Sequence, residues 1–162
     1  MNFEEYIKDN RIEFTEKVNN ICTELRIEAN WLMFVMWFES KLNPQAVNPI
    51  SGATGLIQFM PSTARGLGAT TAVLKRMSNV QQLDYVLAYL RPYKGRMKRW
   101  VDVYLAVFYP KAMGNPNFVI TSDIVAKQNK IFDLNKDLDI SVKEIETVLR
   151  RQIPEKYRKE YL

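Results

Sequence analysis

Apolar residues recur early in the chain with helical spacing. Phe14, Val18, Ile21 and Leu25 stand at i, i+4, i+7 and i+11, which predicts one face of an amphipathic helix. The next stretch differs in kind. Trp31 to Phe38 is apolar at every position, so a helix there would be surrounded by protein on all sides. Pro44 and Pro49 close it off, while Asn48-Pro49, Ser51-Gly52 and Gly55 mark a loop. Pro61, followed by Ser62, Thr63 and Ala64, restarts a helix. Val80, Leu83, Val86, Leu87 and Leu90 give a further stripe, with Ser78 as its cap and Pro92 as its stop. Trp100, Val103, Tyr104 and Val107 give another, ended by Pro110. No run alternates convincingly with period two. The pattern predicts an all-α bundle over residues 1–112, built round one buried central helix.

The texture changes after Pro110. Gly114, Asn115 and Pro116 break the chain, and a short polar helix is expected from about Asp123 to Phe132. An acidic segment follows, from Asp133 to Glu144. Val142, Ile145, Leu149 and Ile153 then predict a last amphipathic helix, stopped by Pro154. Residues 113–162 thus read as a C-terminal helix-loop-helix appendage.

Composition narrows the chemistry more than the fold. The chain has 162 residues, 47% hydrophobic and 25% charged, as an ordinary globular protein has. Its longest apolar run falls far short of the ~20 residues of a spanning helix. The opening segment MNFEEYIKDNRIEF is charged and amphipathic and does not read as a signal peptide. One cysteine, Cys22, rules out an internal disulfide, and its apolar neighbours point to a buried thiol. The chain contains no histidine. Serine–histidine and cysteine–histidine catalysis and histidine-built zinc sites are therefore excluded, and carboxylate chemistry remains. The net charge of +5 gathers partly at Lys94–Arg99 and Arg150–Lys159, read as solvated helix faces. No nucleic-acid motif accompanies these clusters, so no nucleic-acid partner is expected.

Glu39 is the carboxylate that stands out. It follows the apolar run and precedes the loop, so it is placed at the mouth of a hydrophobic wall. Desolvation there disfavours the ionised form and raises the pKa, as a general acid for glycosidic cleavage requires. The negative end of the helix dipole acts in the same direction.

The residues around Glu39 carry a wider pattern. Glu39-Ser40-x-Leu42-Asn43-Pro44-x-Ala46-Val47, followed by Ser51-Gly52-Ala53-Thr54-Gly55-Leu56-Ile57-Gln58-Phe59-Met60-Pro61-Ser62-Thr63-Ala64, strongly resembles the catalytic block of the soluble lytic transglycosylases. That family shares a lysozyme-like α fold with the goose-type lysozymes. The resemblance is dense over residues 27–64 and thinner from Val80 to Pro110. It implies that peptidoglycan glycan strands are the substrate. Glu39 would protonate the oxygen between N-acetylmuramic acid and N-acetylglucosamine, then act as base. The sugar's own 6-hydroxyl would close a 1,6-anhydro ring, and the substrate N-acetyl group would replace a second carboxylate. Gln58 and Met60 match positions lining the saccharide groove, and Ser40 belongs to the same block. Asn48 stands near the place of a substrate-contacting serine, with one extra residue before Gly55. The family pattern Leu-Ala-Ala-Tyr-Asn-Ala-Gly meets Leu105-Ala106-Val107-Phe108-Tyr109-Pro110-Lys111. The family tyrosine is therefore replaced at Phe108. Either Tyr109 supplies the hydroxyl, or both rings are core and rim aromatics.

The acidic segment follows the EF-hand pattern. Asp133, Asn135, Asp137, Asp139, Ser141 and Glu144 occupy its oxygen-ligand positions, with Ile140 at the usual apolar position. Asp133, Asn135, Asp137, Asp139 and Glu144 are the candidate ligands of a weakly held, structural Ca²⁺. Leu138 stands where the pattern has glycine in a left-handed conformation, at a strain of roughly 1–2 kcal/mol. The other reading is an acidic cap for the last helix. Some lytic transglycosylases carry an EF-hand-like calcium loop, and the resemblance extends to that feature.

Three functions fit the sequence: a lytic transglycosylase, a lysozyme that hydrolyses the same bond, and a non-catalytic wall-binding or virion module of the same fold. A wall-cutting domain without an export signal suits a bacteriophage product, either tail-associated or an endolysin. A component of a secretion apparatus is the other setting considered.

Overall fold

The stripe Phe14, Val18, Ile21 and Leu25 is the buried face of α1 (Arg11–Leu25). The structure, a computed structural model, describes residues 1–161 and divides into two compact units, Met1–Gly95 and a second from Arg96 onward.

In the first unit α1 packs against α2 (Ala29–Ser40) and α5 (Asn79–Leu90). Leu32 to Met36 have no exposed surface, as expected for a helix apolar on every side. Phe3 stacks on Trp37, ring centres 4.9 Å apart, and so covers one flank of α2. A fully buried side chain of this size stabilises by about 2–3 kcal/mol, so this helix is the anchor of the unit. It stops abruptly because Lys41 and Leu42 turn left-handed, with φ of 54° and 60°. The Lys41 N–H returns to the Trp37 carbonyl and the Leu42 N–H to that of Met36.

The loop beyond α2 leads to α3 (Pro61–Gly66), begun by Pro61 as expected. A short α4 (Thr71–Arg76) follows, which the apolar pattern did not announce. Thr70 caps it through a side-chain bond from the Val73 N–H at 3.2 Å. Ser78 caps α5, with Gln81 completing a reciprocal capping box. The chain leaves α5 through a 3-10 turn at Arg91–Tyr93, where Pro92 ends the helical bonding.

In the second unit α6 (Trp100–Phe108) is the apolar helix expected before Pro110. Its Asp102 is fully buried yet satisfied: the carboxylate accepts the N–H groups of Lys98, Arg99 and Gly114 at 3.1, 2.9 and 3.0 Å. The expected polar helix is shorter than its sequence implied. As α7 (Asp123–Gln128) it ends where the Asn129 side chain donates to the Val125 carbonyl at 2.9 Å, and the chain then turns. A two-residue antiparallel ladder, β1 (Val119–Ile120) with β2 (Ile140–Ser141), pairs Ile120 with Ile140. It is too short for period two to register in sequence. Helix α8 (Val142–Gln152) presents Val142, Ile145, Val148 and Leu149 inward. Past Pro154 the chain continues as a 3-10 helix, Glu155–Tyr161, and buries Tyr161 against Trp100 at 5.8 Å between ring centres. The architecture is all-α apart from this ladder, and no described helix is long and apolar enough to cross a membrane.

Candidate active site

Glu39 occupies the last turn of α2, where the left-handed Lys41 fixes the helix end one residue beyond Ser40. The residue keeps some exposed surface, but protein atoms crowd its carboxyl group. Among the described residues no hydrogen bond or ion pair engages that carboxyl. Burial pushes its pKa from the ordinary 4.5 up to about 7, and no neighbouring charge is a cause. A carboxyl group in this state stays protonated near neutral pH and can release a proton to a basic atom brought against it.

The loop facing the end of α2 is a small closed structure. Gly55 donates its N–H to the Ala46 carbonyl at 2.8 Å, and Thr54 and Phe59 exchange backbone bonds at 3.0 and 2.8 Å. The closure needs two left-handed residues, Gly55 at φ +86° and Gln58 at +55°. Gln58 is folded back into the loop. Its amide nitrogen donates to the carbonyls of Ala46 at 3.3 Å and Gly55 at 3.1 Å, and among the described residues the amide oxygen has no partner. Met60, next to Pro61, is 45% exposed, an apolar side chain left in the open at the loop's exit.

Ser40 follows Glu39 at the end of α2. It is buried, and its hydroxyl reaches the Met36 and Leu56 carbonyls, each at 2.9 Å, so it fastens the loop to α2. Asn48 is exposed and likewise structural in its contacts. Its side-chain oxygen accepts the N–H groups of Ile50 and Ser51, holding the turn that the extra residue lengthens. Glu39, Ser40 and Gln58 are thus gathered in the first unit, with Met60 following. Phe108 and Tyr109 belong to the second unit, where they sit in an aromatic cluster. Phe108 lies 5.7 Å from Tyr104 and 5.3 Å from Phe132, and Tyr109 lies 6.0 Å from Phe118, between ring centres.

One residue of this region was passed over in sequence. Gln82 has no exposed surface and binds the loop directly, its Oε1 accepting the Leu56 N–H at 3.0 Å. The available signal was a polar residue four positions before the buried Val86, on the inward side of α5. A separate cleft of about 480 Å³ lies among Tyr6, Asn10, Lys41, Asn43 and Asn79. Glu39 does not line it.

The arrangement has a recognisable counterpart. Residues 18–111 match the family model described as the transglycosylase SLT domain. The chain belongs to that family. No match was found among curated proteins or among solved structures. The SLT-domain match starts within α1 and ends in the 3-10 turn Pro110–Ala112, so it covers Glu39, the loop and α6. The helical architecture is that of a lysozyme-like SLT domain, and such domains are glycosidases of the lytic transglycosylase type acting on peptidoglycan.

The acidic segment lies beyond the SLT-domain match. Its Leu138 is left-handed, φ +68°, as the residue type expected there would be. Asp133 accepts the N–H groups of Asp137 at 3.2 Å and Leu138 at 3.3 Å, while Asn135 and Asp137 accept bonds within the loop. Glu144 is held by a capping box: its Oε2 accepts from the Ser141 N–H and hydroxyl at 2.9 and 2.7 Å, and its Oε1 from the Leu134 N–H at 3.1 Å. Asp139 contributes its N–H to Asp137. Among the described residues no three acidic side chains close into a cage for a cation.

Proposed function

We propose that this chain is a peptidoglycan lytic transglycosylase in which Glu39 is the single acid/base. The observation that carries the reading is the Glu39 carboxyl: crowded by protein, unbonded, and with a pKa near 7. A protonated Glu39 donates to the glycosidic oxygen joining N-acetylmuramic acid to N-acetylglucosamine as the bond to the anomeric carbon breaks. The carboxylate so formed then takes the proton of the 6-hydroxyl, whose oxygen closes on the anomeric carbon. The proton gained equals the proton given, and the product carries a 1,6-anhydro ring. The substrate N-acetyl group then assists at the anomeric carbon in place of a protein nucleophile. The free amide oxygen of Gln58 is an acceptor for a sugar hydroxyl or N-acetyl N–H.

Mass spectrometry of fragments released from purified peptidoglycan tests the reading. Muramic ends one water lighter than hydrolysed ends are expected. Reducing ends alone would make the protein a lysozyme. Release of no fragment by the folded protein would leave a wall-binding module.

We also propose that the Asp133–Glu144 loop takes up Ca²⁺ weakly. The support is an all-oxygen donor set at EF-hand spacing and the left-handed Leu138. When bound, the ion would supply rigidity to the loop and no step of the cleavage.

A further inference from the structure

The peptide at Leu56 is gripped from both sides. Its N–H donates to Gln82 Oε1 at 3.0 Å, and its carbonyl accepts from Ser40 Oγ at 2.9 Å. The Gln82 amide nitrogen uses both of its hydrogens as well, on the carbonyls of Leu74 and Pro44. One buried side chain thus ties together the start of the loop, its Gly55–Leu56 turn and the end of α4. Gly55 is matched to it, because a Cβ there would lie 2.4 Å from Gln82 Oε1. Ser40 is the residue after Glu39, and Gln58 comes two residues after Leu56. The line Ser40–Leu56–Gln82 therefore fixes the loop bearing Gln58 against the helix end bearing Glu39.

We infer that Gln82 is a positioning residue for glycan cleavage, holding the Gly55–Gln58 turn in register with Glu39 through the Leu56 peptide. The inference rests on the transglycosylase reading above. An apolar side chain of the same length would fill the space without burying an amide, but it would not aim the turn. Three bonds from a fully buried group set direction as well as contact.

The test compares the wild type, Glu39→Gln, Gln82→Met and Gln82→Glu on soluble, uncrosslinked glycan strands, well below each protein's Tm. Gln82→Met is expected to keep its helical circular dichroism and a KM within about twofold of wild type. Its kcat should fall about tenfold to a hundredfold, the scale of a misplacement near 1 Å. The alkaline limb of its kcat profile should move to lower pH, because a released loop admits water to Glu39. Gln82→Glu, which keeps an acceptor for Leu56 but retains at most one of the two donated bonds, and that one only while its carboxyl is protonated, should recover part of the loss. A lowered Tm with wild-type kcat and an unmoved limb would make Gln82 a packing residue and overturn the inference. Should Gln82→Met fail to fold, Gln82→Glu decides: a reduced kcat supports the inference and a wild-type kcat overturns it. Wild-type protein that is folded but releases nothing defeats the transglycosylase reading and this inference together. An active wild type, an inactive Glu39→Gln and fully active Gln82 variants defeat the inference alone.

Discussion

Replacing Glu39 by glutamine should make the protein inactive and more stable at once. The carboxyl has a pKa of about 7 in the folded chain and 4.5 as its ordinary value, and burial is the cause. Below about pH 4.5 the group is protonated in both states and folding is unaffected by it. From there to about pH 7 the unfolded chain ionises while the native one does not, so stability falls as pH rises. Above pH 7 the loss is complete. At about 1.4 kcal/mol per unit, and with some screening because the residue is not wholly enclosed, the loss is about 2–3 kcal/mol. Glutamine has no charge to desolvate and escapes it. Urea denaturation of both proteins at pH 4, 6 and 8 measures the difference, and muropeptide release is followed in parallel. The glutamine variant should match wild type at pH 4 and exceed it by the full margin at pH 8, roughly 5–10 °C in Tm for a chain of this length. A stability gap that does not change with pH would refute the burial argument. Wild-type turnover by the variant would refute the assignment of Glu39 as the acid.

The same carboxyl sets the pH dependence of turnover: kcat should decline above about pH 7 as Glu39 loses its proton, and a profile flat to pH 9 would count against it. Calcium should raise the Tm of the wild type only at high concentration, and Leu138→Gly should melt higher with or without the ion, since it relieves left-handed strain of roughly 1–2 kcal/mol already present in the ion-free loop. If neither protein's melt shifts with Ca²⁺ against a chelator control, the loop is only a helix cap. Asp102→Ala should destabilise by about 3 kcal/mol or more, because three N–H groups lose a charged acceptor in a site without exposed surface. Chemical denaturation reads this directly, and a change under 1 kcal/mol would show that water replaces the carboxylate.

How far the sequence carried differs from element to element. The α2 helix was plain because an apolar run bounded by prolines leaves little choice, and Glu39 was plain because it is the first charge after that run. Each of these signals is local. The anchoring by Ser40 was not legible, because one of the two carbonyls that its hydroxyl serves lies 16 residues away. Gln82 was invisible for the same reason, since its partners lie 8 to 38 residues distant and no spacing rule reports them. The turn at Gln58 depends on a left-handed glutamine, a conformation that residue type does not advertise. At the other end, Leu138 was legible as a strained position only because the acidic spacing around it fixed what conformation to expect. Helix α4 and the β1–β2 ladder are too short to imprint a period, and Tyr161 lies past a proline that read as an ending.

The left-handed stops of α1 and α2 separate two kinds of engineering target. Both are made by a long cation, Arg26 at φ 60° and Lys41 at 54°, where glycine would relax the backbone. Lys41 holds its ammonium 3.4 Å above the Trp37 ring, a cation–π contact of about 0.5–2 kcal/mol that offsets its backbone strain. Arg26 has no such anchor among the described residues. A designer seeking heat tolerance therefore gains at residue 26 what would be given back at residue 41, although the two turns look alike in backbone trace.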